Sequence, residues 1–300
     1  MKTGVECLPC YLRQALQVAR ISSDDRELQL AALKRVAELV SAMDMELTPP
    51  ENSIPVYGAI AEITDCVDPY LEVKRESNEQ ALALLPELKE ELVHRADPLA
   101  VALRLAIGGN IIDYGAMHSF DVDAAMERCL ESPFAIDHSE ELLQRVRSLE
   151  KGARVLYLAD NSGEIVYDSL VVSALAEIGL EVCVVVKSEP IINDALLADA
   201  LACKMDQVAT VLENGTRCPG TPLAQCSDAL QQAFYGADLI ISKGQGNFET
   251  LSETDADIYF LLTVKCSLVG THLATISGTD PAPLAGKGEL VLYHHRGKRE

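Results

Sequence analysis

The stretch "LYLADNSGEIVYD", Leu156 to Asp168, ends an apolar run on a group of polar and small residues. The run stops at Asp160 and Asn161, and Glu164 follows as a helical pattern begins. One oxygen-bearing side chain is enough to cap a helix, so the adjacent pair is more than a cap requires. This stretch therefore predicts a strand, a turn that holds a ligand, and a helix, in that order.

The rest of the second half alternates between short apolar runs and helical patterns. The runs are rich in β-branched residues and end in polar or glycine-containing turns, which is typical of strands. Buried strands separated by helices indicate a mostly parallel sheet with helices on both faces. We therefore predict a doubly wound α/β core. The predicted strands are residues 154–160, 181–187, 207–215, 237–244, 258–266 and 288–295, and the predicted helices between them are 165–179, 192–202 and 222–234.

The first half of the chain is predicted to be helical. Apolar residues recur there at the spacing of one helix face, as in residues 10–21. A further helix is predicted from near Ile54, after a proline-rich break, and a later helix is expected to be interrupted at Pro86. The predicted domains are a helical subdomain at residues 1–150 and an α/β core, binding metal and phosphate, at residues 151–300.

Composition narrows the classes of partner. The 300-residue chain has a formal net charge of −21 at pH 7, whereas nucleic acids and anionic membranes attract clustered Lys and Arg. We expect no nucleic-acid partner and no membrane partner. No signal peptide is evident, and nine cysteines without an export signal fit a cytoplasmic protein with mostly free thiols. The sequence leaves the oligomeric state open.

Polar side chains follow the first two strands of the predicted core. Asp160 and Asn161 come after the first strand and Asp194 after the second. Ligands of open α/β sheets lie beyond the carboxyl ends of strands, and these three residues offer the hard oxygen ligands that suit Mg²⁺ or Mn²⁺. The alternative is that Asp160 and Asp194 only cap helices, which stabilises each helix by about 0.5–2 kcal/mol.

Two lysines follow later strands. Lys243 opens "KGQGN", whose glycines allow a ligand to approach the backbone, and Lys265 follows the "YFLLTV" run. The loop is not a phosphate-binding Walker A motif, and by itself it is equally consistent with a simple turn. A divalent metal ion with lysines nearby, however, is the combination of charges that stabilises the transition state of phosphoryl transfer. The pattern predicts a site for a small phosphate ester.

The segments "DNSGEIVYD", "PIINDA", "KGQGNFETL", the lysine of "LLTVKC" and "GGNIID" together resemble the metal-dependent damage-control phosphatases, first catalogued as domain of unknown function 89 (ARMT1-like). The N-terminal "CLPC" is similar to the prokaryotic branch of that family. The resemblance implies a Rossmann-like three-layer α/β/α core with an N-terminal helical subdomain. It also implies hydrolysis of phosphomonoesters of small metabolites, either sugar phosphates or damaged phosphometabolites, with Mg²⁺, Mn²⁺, Co²⁺ or Ni²⁺.

The resemblance also implies roles for individual residues. It places the metal on Asp160, Asn161 and Asp194. The "GQGN" turn of this chain differs from the "GDLN"-type turn of the eukaryotic sugar-phosphate phosphatases, so their sugar specificity does not carry over. The substrate-binding residues that it implies are Glu164, Lys243, Gly244, Gln245, Gly246, Asn247, Lys265, Asn110 and Asp113.

The mechanism that we expect is attack by a metal-activated water. Asp160 or Asp194 would orient or deprotonate the water while Lys243 and Lys265 neutralise the phosphate. Alternatively, Asp160 could act as a nucleophile, as in haloacid-dehalogenase phosphatases. Those enzymes carry D-x-D-x-[TV], and Ser162 stands here at the second Asp position, which favours water.

Two other functions compete with a phosphatase. A carboxyl methyltransferase or dinucleotide-dependent enzyme would share the fold class, but "DNSGE" replaces the glycine-rich turn that such enzymes use. A non-catalytic metal-binding protein could instead use Cys7 and Cys10, in a second metal or redox site completed by Cys66, His94 or His118. Packing of buried thiols explains the same cysteines without any site.

Overall fold

The computed structural model describes residues 1–108, Glu127 and 129–297. Seven strands of these ranges form one sheet in the order β1-β7-β6-β5-β2-β3-β4. Only the pair β6–β7 is antiparallel; the other neighbours in the sheet are parallel. This confirms the predicted α/β class with a mostly parallel sheet. The strands are β1 Phe134–Asp137, β2 Arg154–Leu158, β3 Glu181–Val186, β4 Thr210–Glu213, β5 Leu239–Lys243, β6 Ile258–Val264 and β7 Glu289–His295.

Helices cover both faces of the sheet because the strands carry apolar side chains on both faces, as in β2. Val155 and Tyr157 point into one hydrophobic cluster, whereas Leu156 and Leu158 point into another, because successive side chains of a strand face opposite sides. The described helices are α1 Cys7–Ser22, α2 Arg26–Ser41, α3 Pro49–Thr64, α4 Leu71–Val93, α5 Pro98–Gly108, α6 Ser139–Ser148, α7 Glu164–Ile178, α8 Leu197–Ala202, α9 Asp228–Tyr235, α10 Gln245–Leu251 and α11 Ser267–Ser277.

Helices α1 to α3 have a hydrophobic core of their own, separate from the two sheet faces. Ala15, Val36 and Ile60 are fully or almost fully buried in it. Ile191, from the connection that follows β3, belongs to the same core, and Ile192 packs against it. The helical region is thereby joined to a loop at the carboxyl edge of the sheet.

The helix boundaries correct three predictions. Helix α3 begins at Pro49 rather than near Ile54, because Thr48 and Glu51 form a reciprocal capping box and proline is tolerated in the first turn. Helix α4 runs from Leu71 to Val93 as one helix with Pro86 inside it, so the expected interruption is wrong. The predicted helix at 192–202 is confined to α8, and the residues before it form a loop.

Strand β1 is a fourth difference. It pairs in parallel with β7, although the sequence before residue 150 was predicted to be helical throughout. The strand has only four residues, and only one of them is buried, so it offers little periodicity to detect. The domain division at residue 150 itself stays a prediction. Within the described ranges, none of the helices combines the length and apolarity that crossing a membrane requires.

Candidate active site

The candidate site lies at the carboxyl end of β2. This strand pairs with β3 on one side and with β5 on the other, so the sheet is extended in opposite directions from it. A crevice forms at such a switch point. Asp160 and Asn161 leave β2 there, directly before helix α7.

Backbone pairing brings Asp194, the third predicted metal residue, to this crevice. Asn161 and Asp194 form an isolated antiparallel bridge. The Ala195 N–H donates to the Asp160 carbonyl at 2.8 Å, and the Ser162 N–H donates to the Asn193 carbonyl at 2.9 Å. The structure therefore brings Asp160, Asn161 and Asp194 together from two separate connections.

The two aspartates form a buried acidic pair. Burial raises the pKa of Asp160 to about 6, and the charge of Glu164 adds to this effect. Burial also raises the pKa of Asp194 well above its usual value, although the charge of Lys187 opposes the shift. Removal from water disfavours the charged forms, so a cation between these side chains would stabilise both carboxylates.

The donor set fits a hard divalent cation. Oδ2 of Asp194 is buried without a hydrogen-bond partner, and carboxylate oxygens together with an amide oxygen are ligands that Mg²⁺ and Mn²⁺ accept. The Asn161 side chain lies against the same carboxylates, since its Nδ2 donates to Asp160 Oδ2 and to Glu164 Oε1, each at 2.7 Å. In the part of the chain that is described, no three His, Cys, Asp or Glu side chains form a metal site by themselves. The amide of Asn161 would therefore be needed as a third ligand.

Lys243 is fully buried beside this acidic pair. Its Nζ donates to Asp168 Oδ1 at 2.7 Å and lies 3.6 Å from Glu164 Oε2. Burial by itself lowers the pKa of Lys243, but the charges of Asp168 and Glu164 outweigh it and the net shift is upward. The ammonium is therefore retained at neutral pH in spite of its burial.

Two charged residues that contact predicted site residues were not assigned roles by the sequence analysis. Asp168 accepts hydrogen bonds from both Lys243 and Tyr157, and it lies four residues after Glu164, which places the two carboxylates on one face of α7. Lys187 donates to the Gly220 carbonyl at 3.0 Å and lies 3.7 Å from Asp194 Oδ2. The helical spacing could have indicated Asp168; the contact of Lys187 depends on the fold.

The "KGQGN" turn packs directly against Asp160. Gly244 has φ +79°, and a Cβ atom there would lie 2.1 Å from Cγ of Asp160. Asn247 is fully buried, and its Nδ2 donates to the carbonyls of Ala159 and Lys243. The structure thus places the side chain of Asn247 beneath the turn, where it holds the turn in place. The predicted substrate contacts of Gly244, Gln245, Gly246 and Asn247 stay predictions.

A cleft of about 580 Å³ opens between the N-terminal helices and this edge of the sheet. Lys265 is exposed at the edge, and its backbone N–H donates to the Gln245 side chain at 2.9 Å. Glu164 and Lys243 line a smaller recess that Asp160 and Lys265 also border. The sheet side of the cleft is lined by Asp160, Asn161, Asn193, Asp194, Gln245, Gly246, Glu249 and Lys265, and the helical side includes Cys7, Cys10, Tyr11, Gln14, Ser53, Tyr57 and Tyr70.

The remaining predicted site residues have separate outcomes. Cys7 and Cys10 line the cleft as free thiols, and burial raises the pKa of Cys7 to about 11. A thiol of that pKa is protonated and unreactive at neutral pH; a second metal or redox role stays a prediction. Asn110 and Asp113 lie outside the described residues, as does His118.

Glu249 is a further cleft residue that the sequence analysis did not single out. Burial raises its pKa from 4.5 to about 7. Between pH 4.5 and about 7, the Glu249 carboxyl keeps its proton in the folded state but loses it in the unfolded state. The free energy of unfolding of the native chain therefore falls as the pH rises through this range. We expect Glu249→Gln to raise the free energy of unfolding, relative to the native chain, by about 2 kcal/mol more at pH 8 than at pH 5.

Urea denaturation of both proteins at the two pH values measures this difference. Glu62→Gln is the control, because Glu62 is an exposed glutamate on helix α3. That control should change stability equally at both pH values. An equal effect of Glu249→Gln at pH 5 and pH 8 would contradict the prediction.

A mostly parallel sheet with a helical cover and an acidic, lysine-flanked crevice at its switch point defines an α/β protein of the Rossmann-like type. The chain belongs to the family of damage-control phosphatase ARMT1-like domains, which it matches over residues 3–278. This confirms the family that the motifs indicated.

Individual relatives agree with the family match. The chain is 34% identical, over 93% of its own length and 96% of the relative's, to a protein of Pyrococcus horikoshii named a damage-control phosphatase. It is 32% identical, over 93% of its length and 97% of the relative's, to a damage-control phosphatase of Archaeoglobus fulgidus. A crystal structure of a family protein from Pyrococcus horikoshii superposes with a TM-score of 0.87 at 31% identity, covering 99% of this chain and 100% of that one.

Proposed function

We propose that the protein is a metal-dependent phosphatase that hydrolyses phosphomonoesters of small metabolites, either sugar phosphates or damaged phosphometabolites. The observation that carries the proposal is the buried pair Asp160 and Asp194 in one cleft with Lys265, with an Asp194 carboxylate oxygen that accepts no hydrogen bond. The names of the two relatives as damage-control phosphatases support the same reaction class.

Asp160, Asn161 and Asp194 would hold the cation, which Mg²⁺, Mn²⁺, Co²⁺ or Ni²⁺ could supply. When bound, such an ion acts as a Lewis acid on a phosphoryl oxygen and makes water a better nucleophile. The site's oxygen ligands suit Mg²⁺ and Mn²⁺ in particular.

The chain's own residues perform the other tasks. Lys265, at the open edge, and Lys243, at the recess, neutralise phosphate oxygens and orient the ester. Asp168 holds the Lys243 ammonium in place through the 2.7 Å hydrogen bond. A carboxylate of the acidic pair orients the attacking water, which then displaces the alcohol from phosphorus. The helical side of the cleft receives the organic part of the substrate.

Removal of divalent ions tests the proposal. Purified protein should hydrolyse p-nitrophenyl phosphate, and EDTA should lower the rate by at least about a hundredfold, since the acidic pair alone repels a phosphate. Excess Mg²⁺ or Mn²⁺ should restore the rate of the native chain but not that of Asp194→Asn. Hydrolysis that survives EDTA, or no hydrolysis with any of the four ions, would contradict the proposal.

A further inference from the structure

Glu249 is a buried carboxylate in the wall of the cleft. Its side chain is 8% exposed, and Oε1 accepts a hydrogen bond from Gln245 Nε2 at 2.8 Å. Oε1 of the same Gln245 accepts from the Lys265 backbone at 2.9 Å. Glu249 therefore lies one side chain away from the lysine assigned to the phosphate, on the side of the cleft that faces helix α1.

Most of the charged side chains that line the cleft are acidic. Lys265 is the one cation among the described residues that line it, and the proposed phosphatase uses that charge for the phosphate. Beyond the acidic pair, the charged lining consists of Glu6 and Glu249. The rest of the helical side offers amides, hydroxyls and aromatic rings, as in Gln14, Ser53 and Tyr57.

This imbalance restricts the organic part of the substrate. The Met1 ammonium lies close to Glu249 and donates to its backbone carbonyl, but Met1 is buried and does not line the cleft. A second carboxylate or phosphate would therefore meet Glu249 without a compensating cation from the described lining, and like charges placed close together at a binding site repel strongly. An ammonium group would instead pair with Glu249, and a hydroxyl could donate a hydrogen bond to it. Charge-assisted hydrogen bonds are the stronger of these two contacts.

We propose that Glu249 is a specificity-determining residue that binds an amino group on the organic part of the substrate. The site then selects amine-bearing phosphomonoesters over neutral ones, and selects both over esters with a second anionic group. The inference rests on the proposed phosphatase function, because it takes the phosphate end of the cleft from it.

Three matched esters test the proposal: 3-aminopropyl phosphate, propyl phosphate and the phosphate ester of 3-hydroxypropanoate. At pH 8, where Glu249 is ionised in the folded state, the native chain should show kcat/KM values in that order, with about tenfold or more between the first and the last. Glu249→Gln should reduce this ratio to about threefold or less, chiefly through KM. The control Glu62→Gln, whose exposed side chain lies outside the cleft, should keep the native ratio.

The two proposals can fail separately. The corresponding three phosphonates cannot be hydrolysed at the C–P bond by this chemistry, so calorimetric titration with them measures selection without turnover. Hydrolysis of p-nitrophenyl phosphate without any preference among the esters and phosphonates would overturn the role of Glu249 alone. A preference among the phosphonates that depends on Glu249, without hydrolysis of any ester, would support that role and overturn the proposed function alone. Retention of the native ratio by Glu249→Gln would also overturn the role of Glu249.

Discussion

Asp160→Asn is expected to lower the rate of phosphomonoester hydrolysis by roughly a hundred- to a thousandfold without unfolding the protein. The substitution removes a negative charge from the proposed metal and water site while keeping the shape of the side chain. Because burial raises the pKa of this carboxyl, the folded state gains from its removal, and the melting temperature should stay equal or rise. Steady-state kinetics at saturating Mn²⁺, together with thermal melts, measure both quantities.

The exposed Asp24→Asn is the control and should leave both quantities unchanged. A loss of activity accompanied by an equal loss of structure would count against a direct role of Asp160. Single-turnover hydrolysis by the native chain of an ester with a chiral phosphorus separates the two mechanisms. Inversion at phosphorus supports a single displacement by water, whereas retention would show two displacements through an aspartyl-phosphate intermediate on Asp160.

Gly244→Ala is expected to lower the free energy of unfolding by about 2–4 kcal/mol and to abolish most of the activity. Two costs combine at this position. The backbone has φ +79°, where a Cβ atom is strained, and the added atom would lie 2.1 Å from Cγ of Asp160. Asp160 must therefore move away from Asn161 and Asp194, so the proposed cation site is displaced as well. Urea denaturation and p-nitrophenyl phosphate hydrolysis measure the two effects.

Gly278→Ala separates the two costs. Gly278 has φ +70°, but a Cβ atom there would meet nothing within 4 Å. This control should cost only the backbone strain, about 1 kcal/mol, and should retain activity. If Gly244→Ala were no worse than Gly278→Ala in stability and in rate, the close packing of the turn on Asp160 would have no functional importance.

The α/β core was predictable because its strands and turns are determined mainly by residues that are neighbours in the chain. The apolar strands, the polar residues that end them and the glycine turn each depend on neighbours in the chain, as at Leu156 to Asn161. The predicted start of α3 is wrong because a pair of prolines usually indicates a break, whereas the capping box of Thr48 and Glu51 makes these prolines the first turn of the helix. Strand β1 was missed because a four-residue edge strand has little pattern of its own.

The candidate site was predictable only in part for a related reason. Asp160, Asn161 and Asp194 could be proposed as neighbours because parallel strands end at one edge of the sheet. Glu249 was not proposed, because its position in the cleft depends on how α10 packs against helix α3. Contacts between distant segments are fixed by packing, and no spacing within one segment encodes them.

The connection after β3 has a consequence for how the site is maintained. Ile192 adopts φ +46°, a strained value for a β-branched residue, and it packs against the core of α1 to α3 two residues before Asp194. That core therefore compensates the strain and keeps the acidic loop in its working shape. A change deep among the N-terminal helices can then alter the affinity of the proposed site for a cation without touching any of the proposed ligands.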